Sequence, residues 1–347
     1  MRTIRMTLAA GAAAMSVAAS GQSAPVPAKR SGPPPIEDYA RPLTFPKEDR
    51  AEAAKHFNRA RILAGDDLFV DFAHRCILDA RYKARTAGEQ YYGFVEPHAV
   101  FDDLFSVGQM LVSSWALRTS AGILLFDALN NETEAREIIV PGLRRMGLKP
   151  EDVKYLVLTH SHPDHYGGAR YFQRTYGTRI ISSGIDWNAM EAPDRLKVPG
   201  WGDPPTRDIT VVDGQTMTIG GTPITFYITP GHTVGTVSTI FPVTDRGRKH
   251  VVGFYGGLGL PMTAELRAQQ VRSIARWVDI ARTAGVDSQI GNHPLHYEGL
   301  ERLEILRYRQ PNQPNPFVVG ADTYRRYMQM QSECVRLWVA RNGESQP

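Results

Sequence analysis

The run THSHPDHYGG, residues 159–168, follows directly on the apolar segment VKYLVLT. It places three histidines and one aspartate within six positions, His160 to His165. Three imidazoles and a carboxylate are costly to bury without partners. The chain must therefore fold so that a rigid strand delivers them to an open sheet edge, where loops build sites on a fixed frame. His160 and His162 stand at i and i+2 and can point the same way from an extended segment. Asp164 and His165 follow on the bend and can reach a second point a few ångströms away. Gly167-Gly168 then leads into a helix expected to run to Tyr176.

Two other apolar runs end in the same way. PITFYIT closes on Pro230-Gly231-His232, and DSQIGN closes on His293. Neutral imidazole and carboxylate are the ligands zinc takes outside thiolate sites. Six side chains suffice for two ions, three each, with positions left for water. His160, His162 and His232 form one expected set; Asp164, His165 and His293 form the other. His296, three residues beyond His293, is the alternative for the last position. The lone residues His56, His74, His98 and His250 read as structural.

The rest of the chain supplies the frame. FSVGQM, LVSSWALRT and GILLFDA are short β-type runs separated by turn signals. A helix is expected over about 133–146, ended by Gly147. TMTI and PITFYIT read as strands, and TVSTIFPV with KHVVGFY as a hairpin around Asp245-Arg246-Gly247. Long helices are expected over about 263–284 and from Ala321 to about Arg341. Helices over 47–82, broken near Gly65-Asp66-Asp67, precede the strands. Strand clusters each followed by helices point to two packed sheets with helices outside.

Composition excludes several classes. The 347 residues are 42% hydrophobic and 22% charged, with no membrane-length apolar span in the body. Arg2 and Arg5 before TLAAGAAAMSVAA, with small residues after, read as a secretory leader over 1–24, hence a periplasmic or secreted protein. Its removal takes the formal charge from +4 to about +2, and no basic stripe with interleaved aromatics suggests nucleic acid. Residues 25–46 hold seven prolines and read as an extended arm. The expected organisation is leader 1–24, arm and helical extension 25–100, and catalytic domain with a C-terminal helix 101–347. Cys76 and Cys334 are the only cysteines. In an exported chain they could pair or stay free, and they have no spacing for a zinc–thiolate site.

From about Phe105 to His296 the chain resembles the metallo-β-lactamase superfamily. The resemblance rests on GILLFDA, VKYLVLTHSHPDHYGGA, DGQTMTIGGTPI and TPGHTVGTVS. It implies an α/β fold, the four-layer αβ/βα sandwich, with two Zn2+ per chain. Most hydrolases of that superfamily place a bridging aspartate on a strand between the counterparts of His232 and His293. Here that segment is VVGFYGGLGL, with no carboxylate. The third subclass of dizinc metallo-β-lactamases also lacks the acid and is the most similar, although it usually carries a serine where this chain has Gly256-Gly257.

The function this implies is hydrolysis of a small molecule at a carbonyl, through a metal-activated hydroxide. The first expected set would polarise the carbonyl oxygen. Asp164 would be both ligand and catalytic residue, orienting the attacking hydroxide. β-Lactams are the first expectation; lactones, esters or other amides are the alternative, and an iron-dependent oxidoreductase on the same fold a remote one. Asp127 resembles the superfamily's acid that steadies the histidine loop. Ser161 is expected to serve loop geometry. Substrate contacts are expected from the Trp187–Pro205 loop, from Phe94–Phe105 and from Tyr255.

Overall fold

Strands buried on both faces read as near-continuous apolar runs. GILLF is such a run, and it lies at the centre of the larger of two sheets. The computed structural model describes residues 44–79 and 93–347. The expected leader and most of the proline-rich arm lie outside the described residues. The first sheet holds, in spatial order, β1 (His98–Ala99), β2 (Leu104–Ser106), β3 (Trp115–Thr119), β4 (Gly122–Phe126), β5 (Val153–Val157), β6 (Arg179–Ser183) and β7 (Ile209–Val211). Pairing is antiparallel from β1 to β4 and parallel from β4 to β7. The second sheet comprises β8 (Thr216–Ile219), β9 (Thr222–Ile228), β10 (Val237–Asp245), β11 (Arg248–Phe254) and β12 (Ser288–Ile290), ordered β12-β11-β10-β9-β8. Within it only β11 and β12 run parallel.

The helices used below are α1 (Arg50–Ala64), α2 (Phe69–Phe72), α3 (Val140–Arg145), α4 (Pro163–Tyr166), α5 (Ala169–Tyr176), α6 (Gly184–Glu191), α7 (Ala264–Ala284), α8 (Gly299–Arg307) and α9 (Ala321–Arg341). A π-helical turn, Ala73–Leu78, continues α2.

Period-two alternation sorts each strand's side chains between layers. Leu124 and Phe126 point between the sheets, where they meet Phe226, Phe241 and Phe254. Phe126 stacks on Phe241 with ring centroids 5.1 Å apart. Ile123 and Leu125 point the other way, onto Ile139, Leu143 and Phe172. On the far side of the second sheet, Ile240 and Tyr255 pack against Trp277, Tyr324 and Phe72 from the outer helices. The result is helix, sheet, sheet, helix: the expected αβ/βα sandwich.

Several elements depart from the sequence reading. The helix expected over 133–146 contains a π-helical turn, Ala135–Ile139, just before Pro141 in α3. A proline within a helix cannot donate to the preceding turn, and a widened turn accommodates the missing bond. Residues expected in the loop from Trp187 begin instead as α6, whose first turn is capped by Ser183 Oγ accepting from Asp186 N at 3.0 Å. Trp187 is therefore fully buried, its indole N–H donating to Ile209 O at 3.0 Å. The short β6, β7 and α8 carried no usable periodicity.

The N-terminal helices are integral to one outer layer. Asp49 caps α1 by accepting from Ala51 N and Glu52 N, and α1 ends at Gly65, φ 56°. Arg326 of α9 donates to Asp67 Oδ1 at 3.0 Å and to Leu63 O at 3.0 Å. Cys76 and Cys334 form a disulfide with Cα atoms 4.9 Å apart, closing a sequence separation of 258. A cross-link across so long a loop removes much of the unfolded chain's freedom. Converting both cysteines to serine should therefore cost about 2–5 kcal/mol of stability. Guanidinium unfolding of the variant beside the oxidised wild type measures it; coincident curves would refute the expectation.

Candidate metal centre

Each expected ligand leaves the end of a structural element for a backbone reason. His160 follows β5. His162 precedes Pro163, which disfavours helical backbone before it, and His162 is extended at φ −86°, ψ 145°. Pro163 then opens α4 at its first turn, where its missing N–H costs nothing. Asp164 and His165 are thereby carried round the bend. Gly167 is required by close approach: a Cβ there would lie 1.9 Å from Asn130 O. His232 follows β9, and His293 follows β12.

The six side chains converge as two triples. His160, His162 and His232 present ligand nitrogens all within 4.8 Å of one another. In the second triple, His165 Nε2 lies 3.2 Å from His293 Nε2 and 3.3 Å from Asp164 Oδ2. His293 Nε2 lies 3.6 Å from that same oxygen. The triples abut, with the His160 and His165 rings 4.0 Å apart between centroids. His296, the alternative to His293, sits one turn away with its ring 5.5 Å from that of His293.

Hydrogen bonds behind the ligands decide which nitrogen faces the centre. His160 Nδ1 donates to Gly256 O at 3.0 Å, and His232 Nδ1 to Gly259 O at 3.2 Å. His293 Nδ1 donates to Leu111 O at 2.7 Å, and His165 Nδ1 to Asp127 Oδ2 at 2.8 Å. Carbonyl and carboxylate oxygens only accept, so all four imidazoles carry their proton on Nδ1 and turn Nε2 inward. His160 Nε2 is buried with no hydrogen-bond partner. An orphaned lone pair aimed at two imidazoles and a carboxylate cluster is what a divalent cation would satisfy, and the oxygen–nitrogen donor set suits zinc.

Asp127 also accepts from Thr159 N and Thr159 Oγ1, each at 2.8 Å, and so anchors the start of the histidine loop as the resemblance implied. Ser161 serves loop geometry: its Oγ donates to Asp186 Oδ1 at 2.9 Å. Asp186 Oδ2 accepts from Thr233 Oγ1 at 3.2 Å, tying the loop of His160 to that of His232. Burial raises the Asp186 carboxyl to about 6, against the hydrogen bonds from Ser161 and Thr233. Neither Asp186 nor the glycine carbonyls was legible in the sequence, because both act through loops distant along the chain.

Where the resemblance leads one to expect a bridging acid, the backbone itself fills the space. A Cβ on Gly256 would stand 1.9 Å from Val237 O, and one on Gly259 2.4 Å from His232 Cε1. No side chain fits there. Two expected substrate contacts also fall elsewhere. Tyr255 is buried against Trp277, ring centroids 5.7 Å apart, and Phe101 and Phe105 lie in the core. A cavity of about 500 Å³ opens over His162, Asp164, His232 and His293. From the expected loop, Leu196 and Trp201 line it, together with Arg75, Asp79, Trp338 of α9 and Asn342 just beyond that helix.

Residues 107–245 match the family model of the metallo-beta-lactamase superfamily. That segment is similar to the metallo-beta-lactamase superfamily. Solved structures similar to it include the subclass B3 metallo-beta-lactamase BJP-1 of Bradyrhizobium japonicum. That likeness has 23% identity and a TM-score of 0.60, over 70% of this chain and 94% of that one. Native FEZ-1 of Legionella gormanii is similar at 20% identity and TM-score 0.59, over 70% of this chain and 94% of that one. These likenesses establish the fold. Among curated proteins, a hydroxyacylglutathione hydrolase of Acidiphilium cryptum is 34% identical over 87 residues, 25% of this chain and 30% of that protein. An exodeoxyribonuclease WalJ of Streptococcus pneumoniae is 33% identical over 79 residues, 23% of this chain and 28% of that protein. The chain thus spans under a third of the length of these relatives.

The two triples differ in charge. Burial, with the neighbouring imidazoles, holds His160 and His232 well below the usual histidine range, and burial brings His162 to about 4. Burial alone would also depress His165, but Asp164 and Asp127 outweigh it and raise the imidazole to about 10. Burial would raise Asp164, yet His165, His293 and His162 hold it well below the usual carboxylate range. A cation entering the first triple at neutral pH displaces no ligand proton; one entering the second must displace the proton of His165. Metal affinity of the second triple should therefore rise about tenfold per pH unit between pH 6 and 9, while the first stays nearly flat. Competition with a chelator of known pH dependence reads both, and two parallel pH profiles would contradict this assignment.

Proposed function

We propose that the chain is an exported hydrolase that holds two zinc ions and opens a cyclic amide, with β-lactams the leading substrate class. The observation that carries this reading is the pair of abutting ligand triples, with Nε2 atoms turned inward by Nδ1 hydrogen bonds, at the floor of a cavity of about 500 Å³. His160, His162 and His232 would hold one ion, and Asp164, His165 and His293 the other. Bound there, the ions would lower the pKa of a shared water toward neutrality and polarise a carbonyl oxygen.

The protein's own groups do the rest. Asp164 accepts a hydrogen bond from the attacking water and fixes its direction toward the carbonyl carbon. Asp127 keeps His165 oriented, and Asp186 keeps the loops of Ser161 and Thr233 in register. Leu196, Trp201, Met262 and Trp338 offer apolar surface for a substrate side arm. No nucleophilic side chain is needed, since Ser161 Oγ is committed to Asp186. The missing bridging acid and the likeness to subclass B3 structures support the cyclic amide. The curated relatives named hydroxyacylglutathione hydrolase support a second reading, an ester or thioester substrate at the same centre.

Zinc-loaded protein given a chromogenic cephalosporin and an α-hydroxyacyl thioester separates the two. The first reading expects cephalosporin turnover well above that of free zinc, and preference for the thioester would favour the second. D164A and H232A should each lower turnover by at least about a hundredfold and lose bound zinc. Full activity with unaltered metal content in both would remove the dizinc hydrolase altogether.

A further inference from the structure

Arg75 lies outside the residues that match the family model, in the π-helical turn after α2. Its side chain is only 3% exposed, and it donates from Nη2 to Leu258 O. Its Nη1 lies 3.4 Å from Asp79 Oδ2. Leu258 stands in the middle of the stretch Gly256-Gly257-Leu258-Gly259, whose outer carbonyls accept from His160 and His232. From the other side, Gln270 of α7 donates through Nε2 to Gly257 O at 3.0 Å and to Gly259 O at 3.2 Å.

A four-residue stretch with three glycines has little stiffness of its own. Where its carbonyls point is set by the donors that grip it, and a grip away from water is stronger than the same bond at the surface. Arg75 is itself held in place. Cys76, its neighbour, is bonded to Cys334 of α9, and Arg341 Nη1 donates to Cys76 O at 3.3 Å. The chain of contact is therefore continuous from disulfide to Arg75, to the Leu258 carbonyl, to the carbonyls that orient two imidazoles.

The arrangement is asymmetric. His160 and His232 belong to the same triple. His165 and His293 are oriented by Asp127 and Leu111 O, neither of which bonds to the glycine stretch; the link between them is Asn292, whose Nδ2 donates to Gly256 O at 2.7 Å. We propose that Arg75, anchored by the Cys76–Cys334 disulfide, is a positioning residue for the His160/His162/His232 triple alone, acting through the 256–259 backbone. This rests on the reading of the two triples as metal sites.

The test measures zinc affinity by chelator competition in single-site backgrounds. H293A weakens the second triple and leaves the first intact; H232A does the reverse. In H293A, Arg75→Met should weaken zinc about tenfold, and Arg75→Lys, which keeps a charged donor, should recover part of the loss. In H232A the same substitutions should leave affinity unchanged. Reducing the disulfide in H293A, with folding followed by circular dichroism, should weaken zinc there and leave it unchanged in H232A, and this arm decides alone if Arg75→Met does not fold. Equal weakening in both backgrounds would mean general destabilisation and overturn the proposal, as would no change in H293A and none on reduction. Absence of zinc uptake by the wild type would overturn both this inference and the metal reading beneath it, whereas normal uptake with indifferent Arg75 variants would overturn this inference only.

Discussion

Asp127 is buried at the end of β4, and the arrangement of the centre depends on its three hydrogen bonds. It accepts from the backbone and hydroxyl of Thr159 and from His165 Nδ1, so one carboxylate joins the strand β4, the tip of β5 and the far end of the histidine loop. The backbone is bent to allow this: Asp127 and Leu129 sit at φ 56° and 63°, in the left-handed region. Such a conformation costs a non-glycine residue roughly 1–2 kcal/mol. The carboxylate's hydrogen bonds, made away from water, offset it. Without them, the loop of His160 to His165 would have no reason to turn both ends toward the same point.

Around that anchor the protein orients its imidazoles mostly with backbone. Gly256 O, Gly259 O and Leu111 O each accept an Nδ1 proton. Burial keeps the three carbonyl-partnered imidazoles neutral, whereas Asp164 and Asp127 overcome burial at His165 and hold a positive charge there. The two triples are thus chemically distinct although all five of their rings are imidazoles on similar loops. The glycines that bring the backbone so close also exclude any bridging acid, so one structural choice accounts for both features.

The outer helical layer has a second consequence. α1, α2 and α9 cover the second sheet as any amphipathic layer would, but the turn after α2 and the end of α9 also wall the cavity through Arg75, Asp79, Trp338 and Asn342. The chain preceding the matched domain therefore contributes to the site and not only to stability. Trp338 illustrates the point: on α9 it is half-buried and lines the cavity.

Much of the site was legible in the sequence because its signals are local. HxHxDH follows an apolar strand, PGH and NH close two others, and Asp127 ends GILLFDA; each is a short pattern tied to a strand tip. The sandwich was legible for the same reason, since alternation and turn chemistry act over a few residues. The π-helical turn before Pro141, the helix that buries Trp187, and the fate of Tyr255 were not, because each was settled by packing against residues far along the chain. The same holds for the pairing of Cys76 with Cys334, for Asp186 bridging two loops, and for Arg75 gripping the glycine stretch. Sequence alone determined which atoms could bind a cation and on which strands they ride; only the tertiary structure decided which nitrogen each ring presents, which charges surround it and what walls the cavity, because those depend on contacts between segments that no local pattern encodes.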